Sequence, residues 1–240
     1  MKRFFKILFF VLLFHCAAFD ARAQLFKAFV IGGVNIAQID GDEVYGYKKV
    51  APQLGAGVMV PLNPRTPYKG WQASLELLYS QKGARETLDP FAYKSSLHYV
   101  DIPLMIHYID PYGGLTFGLG LQYGRLFKIK EDWGLPEKII NGFERPMVNG
   151  VPAFNKNDLS FVADVRFTVW KNFKLNFRYQ YSLLPIREEV WYYNGYPAGT
   201  QEFKSWSRDF RNNYMSLRVI YVINERDSRQ LDRNINRTTY

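Results

Sequence analysis

Leu159-Ser160-Phe161-Val162-Ala163-Asp164-Val165-Arg166-Phe167-Thr168-Val169-Trp170, then Lys171-Asn172, then Phe173-Lys174-Leu175-Asn176-Phe177-Arg178-Tyr179-Gln180-Tyr181-Ser182-Leu183, is the stretch that decides the fold. Leu159, Phe161, Ala163, Val165, Phe167 and Val169 share one side; Asp164, Arg166 and Thr168 lie on the other. After Lys171 and Asn172 the alternation resumes, with Phe173, Leu175, Phe177 and Tyr179 opposed by Lys174, Asn176, Arg178 and Gln180. A period of two carried through two arms joined by two residues is an antiparallel hairpin. Each arm is about twice the length of a usual globular strand. An apolar face and a charged face at that length suit strands that cross a bilayer at a tilt, apolar side to lipid and polar side to a lumen.

Outward from this hairpin the same period recurs. The expected strands are 26–36, 50–62, 71–81, 97–108, 114–128, the two arms of the hairpin, and 213–223. Pro103 falls inside the fourth, where it must sit at a bulge or forfeit a ladder bond. The stretches 129–157 and 185–211 lack a sustained period and read as long loops. Connections after the first, third, fifth and seventh strands read as long, and those after the second, fourth and sixth as short. Outer-membrane barrels divide their connections in this way, with short periplasmic turns and longer outer loops. The fold class is therefore all-β, an eight-stranded antiparallel up-and-down transmembrane barrel of the outer-membrane type. An even strand count places both termini in the periplasm, and closure leaves no free sheet edge in hydrocarbon.

Composition agrees. The 240 residues include 19 Phe and 17 Tyr, a bias toward sheet. A mean hydropathy of −0.23 excludes a bundle of apolar helices, yet it is compatible with strands whose two faces average out. Residues 1–23 read as an export signal: Lys2, Arg3 and Lys6 precede the apolar run from Ile7 to Phe14, and Ala21-Arg22-Ala23 forms the cleavage site. The barrel then occupies residues 24–223, and residues 224–240 form a polar periplasmic tail. Removing Lys2, Arg3, Lys6 and Arg22 together with Asp20 lowers the formal charge from +9 to about +6. The same cut removes Cys16, the single cysteine, which excludes a disulfide scaffold and a thiolate-bound metal.

Gly32-Gly33-Val34-Asn35, Gln53-Leu54-Gly55-Ala56-Gly57, Glu76-Leu77-Leu78-Tyr79-Ser80-Gln81-Lys82-Gly83 and above all Leu97-His98-Tyr99-Val100-Asp101-Ile102-Pro103-Leu104 resemble the PorT-like outer-membrane β-barrel proteins of Bacteroidetes. Gly118-Leu119-Gly120 before Tyr123-Gly124 fits the same pattern. The resemblance implies an eight-stranded outer-membrane barrel. For the founding member's role it implies participation in the type IX secretion and gliding machinery, an alternative function here. The polar extension after Ile223 departs from barrels that finish on a terminal aromatic residue.

Candidate sites follow from the faces. Glu76, Asp101, Asp164, Arg166, Lys174, Arg178 and Arg218 share the lumenal register and are expected to form a structural network of ion pairs, because an unpaired buried charge is costly. An eight-stranded interior is just wide enough for side chains to fill, which argues against a small channel. Outside the export signal the histidines are His98 and His107, on opposite faces, so no serine–histidine pair is legible and no enzyme is expected. No metal-binding motif is present, Asp40-Gly41-Asp42 being too short for a calcium loop, and no cofactor is called for. Arg226, Arg229, Arg233 and Arg237 are interleaved with acids, which excludes a nucleic-acid stripe and leaves weak contact with anionic lipid headgroups or lipopolysaccharide. Trp71, Tyr108, Tyr123, Trp170 and Tyr221 read as girdle residues at the membrane interfaces. Trp133, Phe143, Trp191, Tyr192, Tyr193, Tyr196 and Trp206, with Phe154 and Phe203, are candidate contacts for a protein partner or glycan on the outer side, or components of a lid over the mouth. The main expectation is a non-enzymatic membrane barrel with a structural or binding role. A soluble lipocalin-like binding barrel, with its apolar side chains turned inward, is the remaining alternative.

Overall fold

The computed structural model describes residues 26–42, 44, 46–63, 69–85, 94–110, 114–132, 153–170, 172–194 and 204–223, the main chain alone at 192–194 and 204–205. The strands are β1 (Lys27–Asp40), β2 (Lys49–Pro61), β3 (Gly70–Lys82), β4 (Lys94–Ile109), β5 (Leu115–Asp132), β6 (Asn157–Trp170), β7 (Phe173–Ser182), β8 (Arg187–Asn194) and β9 (Lys204–Ile223). Strands β1 to β7 pair with their neighbours in order, β7 pairs with β9, and β9 pairs with β1, so eight antiparallel strands close on themselves. The segments read as an export signal and a polar tail lie outside the described residues.

The alternation read from the sequence holds along each wall strand. On β3 the residues Gln72, Ser74, Glu76, Leu78 and Ser80 are buried, while Trp71, Leu75 and Leu77 are exposed. On β7 Asn176, Arg178 and Gln180 turn inward, and Leu175, Phe177 and Tyr179 outward. This polarity, charge inside and hydrocarbon outside, is the reverse of a lipocalin-like barrel and removes that alternative. Small inward residues make room for large ones. A Cβ at Gly118 would run into His107 Nδ1 and Asp164 Oδ1, and one at Gly33 would come within 2.9 Å of Arg218 Cγ.

Aromatic side chains gather at both ends of the apolar band. Trp71 meets Tyr108 edge-on at 5.2 Å, Trp170 stacks on Phe173 at 6.1 Å, and Phe173 contacts Tyr221 at 5.0 Å, all at the end that carries Lys27 and Ile223. Toward the other end stand Tyr79, His98 and Phe127, and Tyr123, whose hydroxyl donates to Asn157 Oδ1 at 2.8 Å. From Trp71 to Tyr79 the strand climbs roughly 27 Å along itself, or about 21 Å along the barrel axis at the usual tilt, which matches an outer-membrane apolar band.

Three features differ from the expectations, and a fourth, at Pro103, takes one of its two expected forms. The 185–211 stretch is not a loop: it contains β8 and the first part of β9, which pair as a hairpin standing beyond the barrel wall. A register shift between Arg187 and Val190, with Glu189 at φ 51°, breaks the period of two there and hides the strand from a reading by alternation. Strand β1 runs on to Asp40, so the connections 41–48 and 62–69 are equally long, and the asymmetry of connections begins only at β3. Strand β5 likewise runs past the expected residue 128 to Asp132. Pro103 forfeits ladder bonding rather than sitting at a bulge. The β4–β5 ladder passes through Pro103↔Gln122, while the β3–β4 ladder jumps from Leu75↔Leu104 to Leu78↔Asp101, the side on which the missing N–H would have donated.

Candidate functional site: a sealed, ion-paired lumen

The interior is built in layers. At the end that carries the chain termini of the wall, Phe29, Ile31, Met59, Leu78, Ile220 and Val222 form an apolar cluster. Packed against it lies a cationic knot. Arg178 on β7 clasps Glu76 on β3 with two parallel bonds, Nη1 to Oε2 and Nη2 to Oε1, each 2.9 Å, and its Nη2 reaches Asp164 Oδ2 at 2.8 Å. Arg218 donates to Glu76 Oε2 at 3.1 Å and to Asn176 Oδ1 at 2.7 Å. Arg166 donates to Glu76 Oε1 at 3.1 Å and to Asp164 Oδ2 at 3.3 Å. Three guanidinium groups thus face two carboxylates, with their planar forks matched to the carboxylate oxygens.

A second knot of opposite excess lies above it. Lys82 Nζ is 3.1 Å from Asp101 and 3.5 Å from Asp158 Oδ2, and it stands 4.2 Å from the centre of the Tyr99 ring and 5.0 Å from that of Tyr214. Asp158 is held further by Ser182 Oγ at 2.8 Å and Asn212 Nδ2 at 2.9 Å. One ammonium against two carboxylates complements the three-against-two knot below it, so the lumenal charges balance as a whole. Such compensation is what allows ionised groups to be withdrawn from water.

Of the residues read from the sequence as lumenal charges, Glu76, Asp164, Arg166, Arg178 and Arg218 meet in the first knot, and Asp101 belongs to the second. Lys174 shares the inward register, but it remains half-exposed near the terminal end of β7, opposite Thr168 and Ile220. Lys82 and Asp158 were not anticipated. Each stands at the edge of a strand, just outside the run over which the alternation is read.

At the far end the lumen is closed by a lid. Ile39, Val44, Leu97, Leu126, Phe154, Ile186, Val190 and Phe210 pack together there. Arg187 on β8 is threaded through this cluster: its guanidinium stacks 3.6 Å from the Phe154 ring centre and 5.6 Å from that of Phe210, and it pairs with Glu131 through two bonds of 2.8 and 2.9 Å. Backbone bonds Ile186 N to Phe210 O and Asn155 N to Ile186 O lock the lid segments to β9 and to one another. Phe154, read from the sequence as a partner contact or a lid component, is buried under Arg187 in the lid. Trp191 is exposed on β8; Tyr192 and Tyr193 continue that strand, opposite Trp206 and Ser205 of β9. Trp133, Phe143, Tyr196 and Phe203 lie outside the described residues.

One juxtaposition was invisible in the sequence. Ser74 Oγ lies 2.8 Å from His107 Nε2, and His107 Nδ1 lies 3.5 Å from Asp164 Oδ1, the order of partners found in a serine hydrolase. The surroundings argue against that chemistry. Arg166 Nη2 also stands 3.0 Å from His107 Nε2, and a guanidinium can only donate, so the lone pair that would take the serine proton already receives a charged donor. All three residues are also buried in the packed interior. A fluorophosphonate probe should leave Ser74 unlabelled in the folded protein; a covalent adduct on Ser74, found by peptide mass spectrometry, would establish a nucleophile there. Among the described residues no three His, Cys, Asp or Glu side chains are grouped to hold a metal ion.

A closed eight-stranded sheet with hydrocarbon outside, aromatic rings at both rims and a compensated ionic interior defines a transmembrane β-barrel. The chain belongs to the family described as outer membrane protein beta-barrel domain, whose model matches residues 22–188. No curated protein sequence matches it. Among solved structures it is similar to Ail, the attachment invasion locus protein of Yersinia pestis in complex with the heparin analogue sucrose octasulfate, with 14% identity over 82% of this chain and 99% of that one and a TM-score of 0.41. It is similar also to OprG from Pseudomonas aeruginosa, with 12% identity over 82% and 95% of the two chains and a TM-score of 0.39. A major outer membrane protein from Thermus thermophilus gives 12% identity over 82% and 99% of the two chains and a TM-score of 0.41.

Proposed function

We propose that this protein is a non-enzymatic, non-conducting outer-membrane barrel that serves as a structural or binding component, with its working surface at the lidded end. The observation that carries this reading is the filled lumen: two ionic knots of opposite excess, with one apolar cluster packed against the lower knot and another closing the lidded end. A continuous water path would have to pass Arg178, Arg218, Tyr99 and Tyr214, all of which are fully buried. Steady conductance of the purified protein in planar bilayers would overturn the reading, and a silent bilayer is the expected result.

The lidded end is assigned to the outside, and both strand termini and the turn at 171–172 to the periplasm. In support, the connections with the most residues join their strands at that end, and β8 pairs with the first part of β9 there. Trp191 supplies the test, because it is exposed on β8 and the sequence outside the export signal has no cysteine. Trp191→Cys should react with a membrane-impermeant maleimide on intact cells. Reaction only after the outer membrane is permeabilised would reverse the orientation.

Kinship with the PorT-like proteins rests on the block from Leu97 to Leu104, and in this fold Tyr99 and Asp101 of that block serve the upper knot. That use is architectural and is open to any barrel of the type. A role in type IX secretion therefore rests on the resemblance alone; loss of cargo export in a deletion strain, restored by the gene, would establish it.

A further inference from the structure

The outer rim of the wall carries a feature that neither the lumen nor the lid uses. Above the apolar band, Tyr79 on β3, His98 on β4 and Phe127 on β5 form a three-ring cluster on the lipid-facing side, with centroid separations of 6.1 to 6.3 Å. Tyr79 and His98 are joined by a 2.8 Å hydrogen bond between the hydroxyl and Nδ1. Below the cluster the outward residues are hydrocarbon: Leu54, Leu77, Val100 and Ile102. The rings therefore mark the level at which acyl chains give way to headgroups.

At that level the β4–β5 ladder slips. Tyr99 opposes Leu126, but His98 opposes Lys128, so Phe127 is the extra residue of a bulge. Beyond the bulge Lys128 falls on the outward side with His98, and Lys130 with Ser96. Without the slip, both lysines would share the inward register of Leu126. The bulge thus presents two exposed cations in succession, roughly 7 Å apart along one face of β5, directly above the aromatic ring level. Arg125, exposed and bonded to Asn157 Oδ1, stands on the same strand just below them.

The nearby acids are engaged elsewhere. Glu131 turns to Arg187 in the lid, and Asp132 lies opposite Lys94. No ion pair joins Lys128 or Lys130 to a carboxylate among the described residues. His98 lies in the combined positive field of Lys128, Lys130 and Lys49. Cations of one sign set at this depth, above rings that pack against acyl chains, complement an anionic lipid headgroup.

We infer that Lys128 and Lys130, with the Tyr79–His98–Phe127 cluster beneath them, form a binding site for the phosphorylated headgroup of an acylated glycolipid of the outer leaflet. The inference rests on the orientation given under Proposed function. A glycolipid is the chosen occupant because phosphate fits the lysine pair, while sugar hydroxyls fit the polar ledge made by Gln81 and Ser96, which are hydrogen-bonded to each other beside the lysines. The tail arginines singled out in the sequence play no part in it.

The test uses the full protein in detergent with chelator, so that binding is read independently of orientation, which the Trp191 labelling reports separately. Bisphosphorylated lipid A is titrated by native mass spectrometry against its dephosphorylated form, against phosphatidylglycerol, and against the Lys128→Gln, Lys130→Gln double variant. The variant's fold is checked by its heat-modifiable gel mobility. Two headgroup lysines at about fivefold each predict roughly thirtyfold weaker binding by the variant. Lys69→Gln, exposed at the opposite rim, should bind as the native protein does. Undiminished binding by the double variant, equal binding of dephosphorylated lipid A, or equal binding of phosphatidylglycerol would each overturn the assignment.

Discussion

Arg178→Met should lower the unfolding free energy of the barrel by about 3 kcal/mol, read from urea titrations in lipid vesicles. The side chain is fully buried, and it alone clasps both acids of the lower knot at 2.9 Å or less. Methionine approximates the apolar stem but supplies no donor, so oxygens of Glu76 and Asp164 are left short of partners in a site closed to water. Arg218→Met should cost less, since Arg218 reaches Glu76 through a single bond of 3.1 Å and touches Asp164 only at 3.5 Å, so fewer acceptor positions are emptied. The cost is one of buried acceptor oxygens left without donors rather than of a lost attraction. Accordingly, the Arg178→Met, Glu76→Met double variant should recover part of the loss, because exchanging a buried ion pair for apolar groups is often near neutral. Arg178→Met within about 1 kcal/mol of the native protein would mean that the knot is hydrated and contributes no specificity.

Phe210→Ala should remove about 3 kcal/mol by cavity formation in the lid. Phe210 is fully buried between Ile186, Val190 and the guanidinium of Arg187, and its carbonyl anchors Ile186 N at 2.8 Å. Loss of the ring removes one of the two aromatic faces on which Arg187 rests, and it leaves that cation to Phe154 and Glu131. The damage should be confined to the lidded end. Amide exchange of β8 and the upper part of β9 should rise, while that of β3 and β7 stays slow. Uniform acceleration throughout the wall would show instead that lid and barrel unfold as one unit.

The wall of this barrel was legible because its information is local. An alternation such as Phe173-Lys174-Leu175-Asn176-Phe177-Arg178 states which face meets hydrocarbon, and a two-residue gap states where the chain turns. Where local pattern failed, a definable device was at work: the irregularity at Arg187–Val190 concealed β8, and Lys82 and Asp158, at strand edges, fall just outside the runs over which the alternation is read.

The sequence by itself determined the strand class, the near-complete division of side chains between inside and outside, and the presence of a charged lumen. Only the tertiary structure decided which charges meet. Glu76 and Arg178 are separated by 102 positions, and Arg218 lies 142 positions from the same carboxylate, so their pairing depends on the circumference and stagger of the closed sheet. The lid, the Ser74–His107 contact and the outward placement of Lys128 arise in the same way. Each depends on register between strands, and register is a property of the assembled sheet, to which a single strand's alternation is blind.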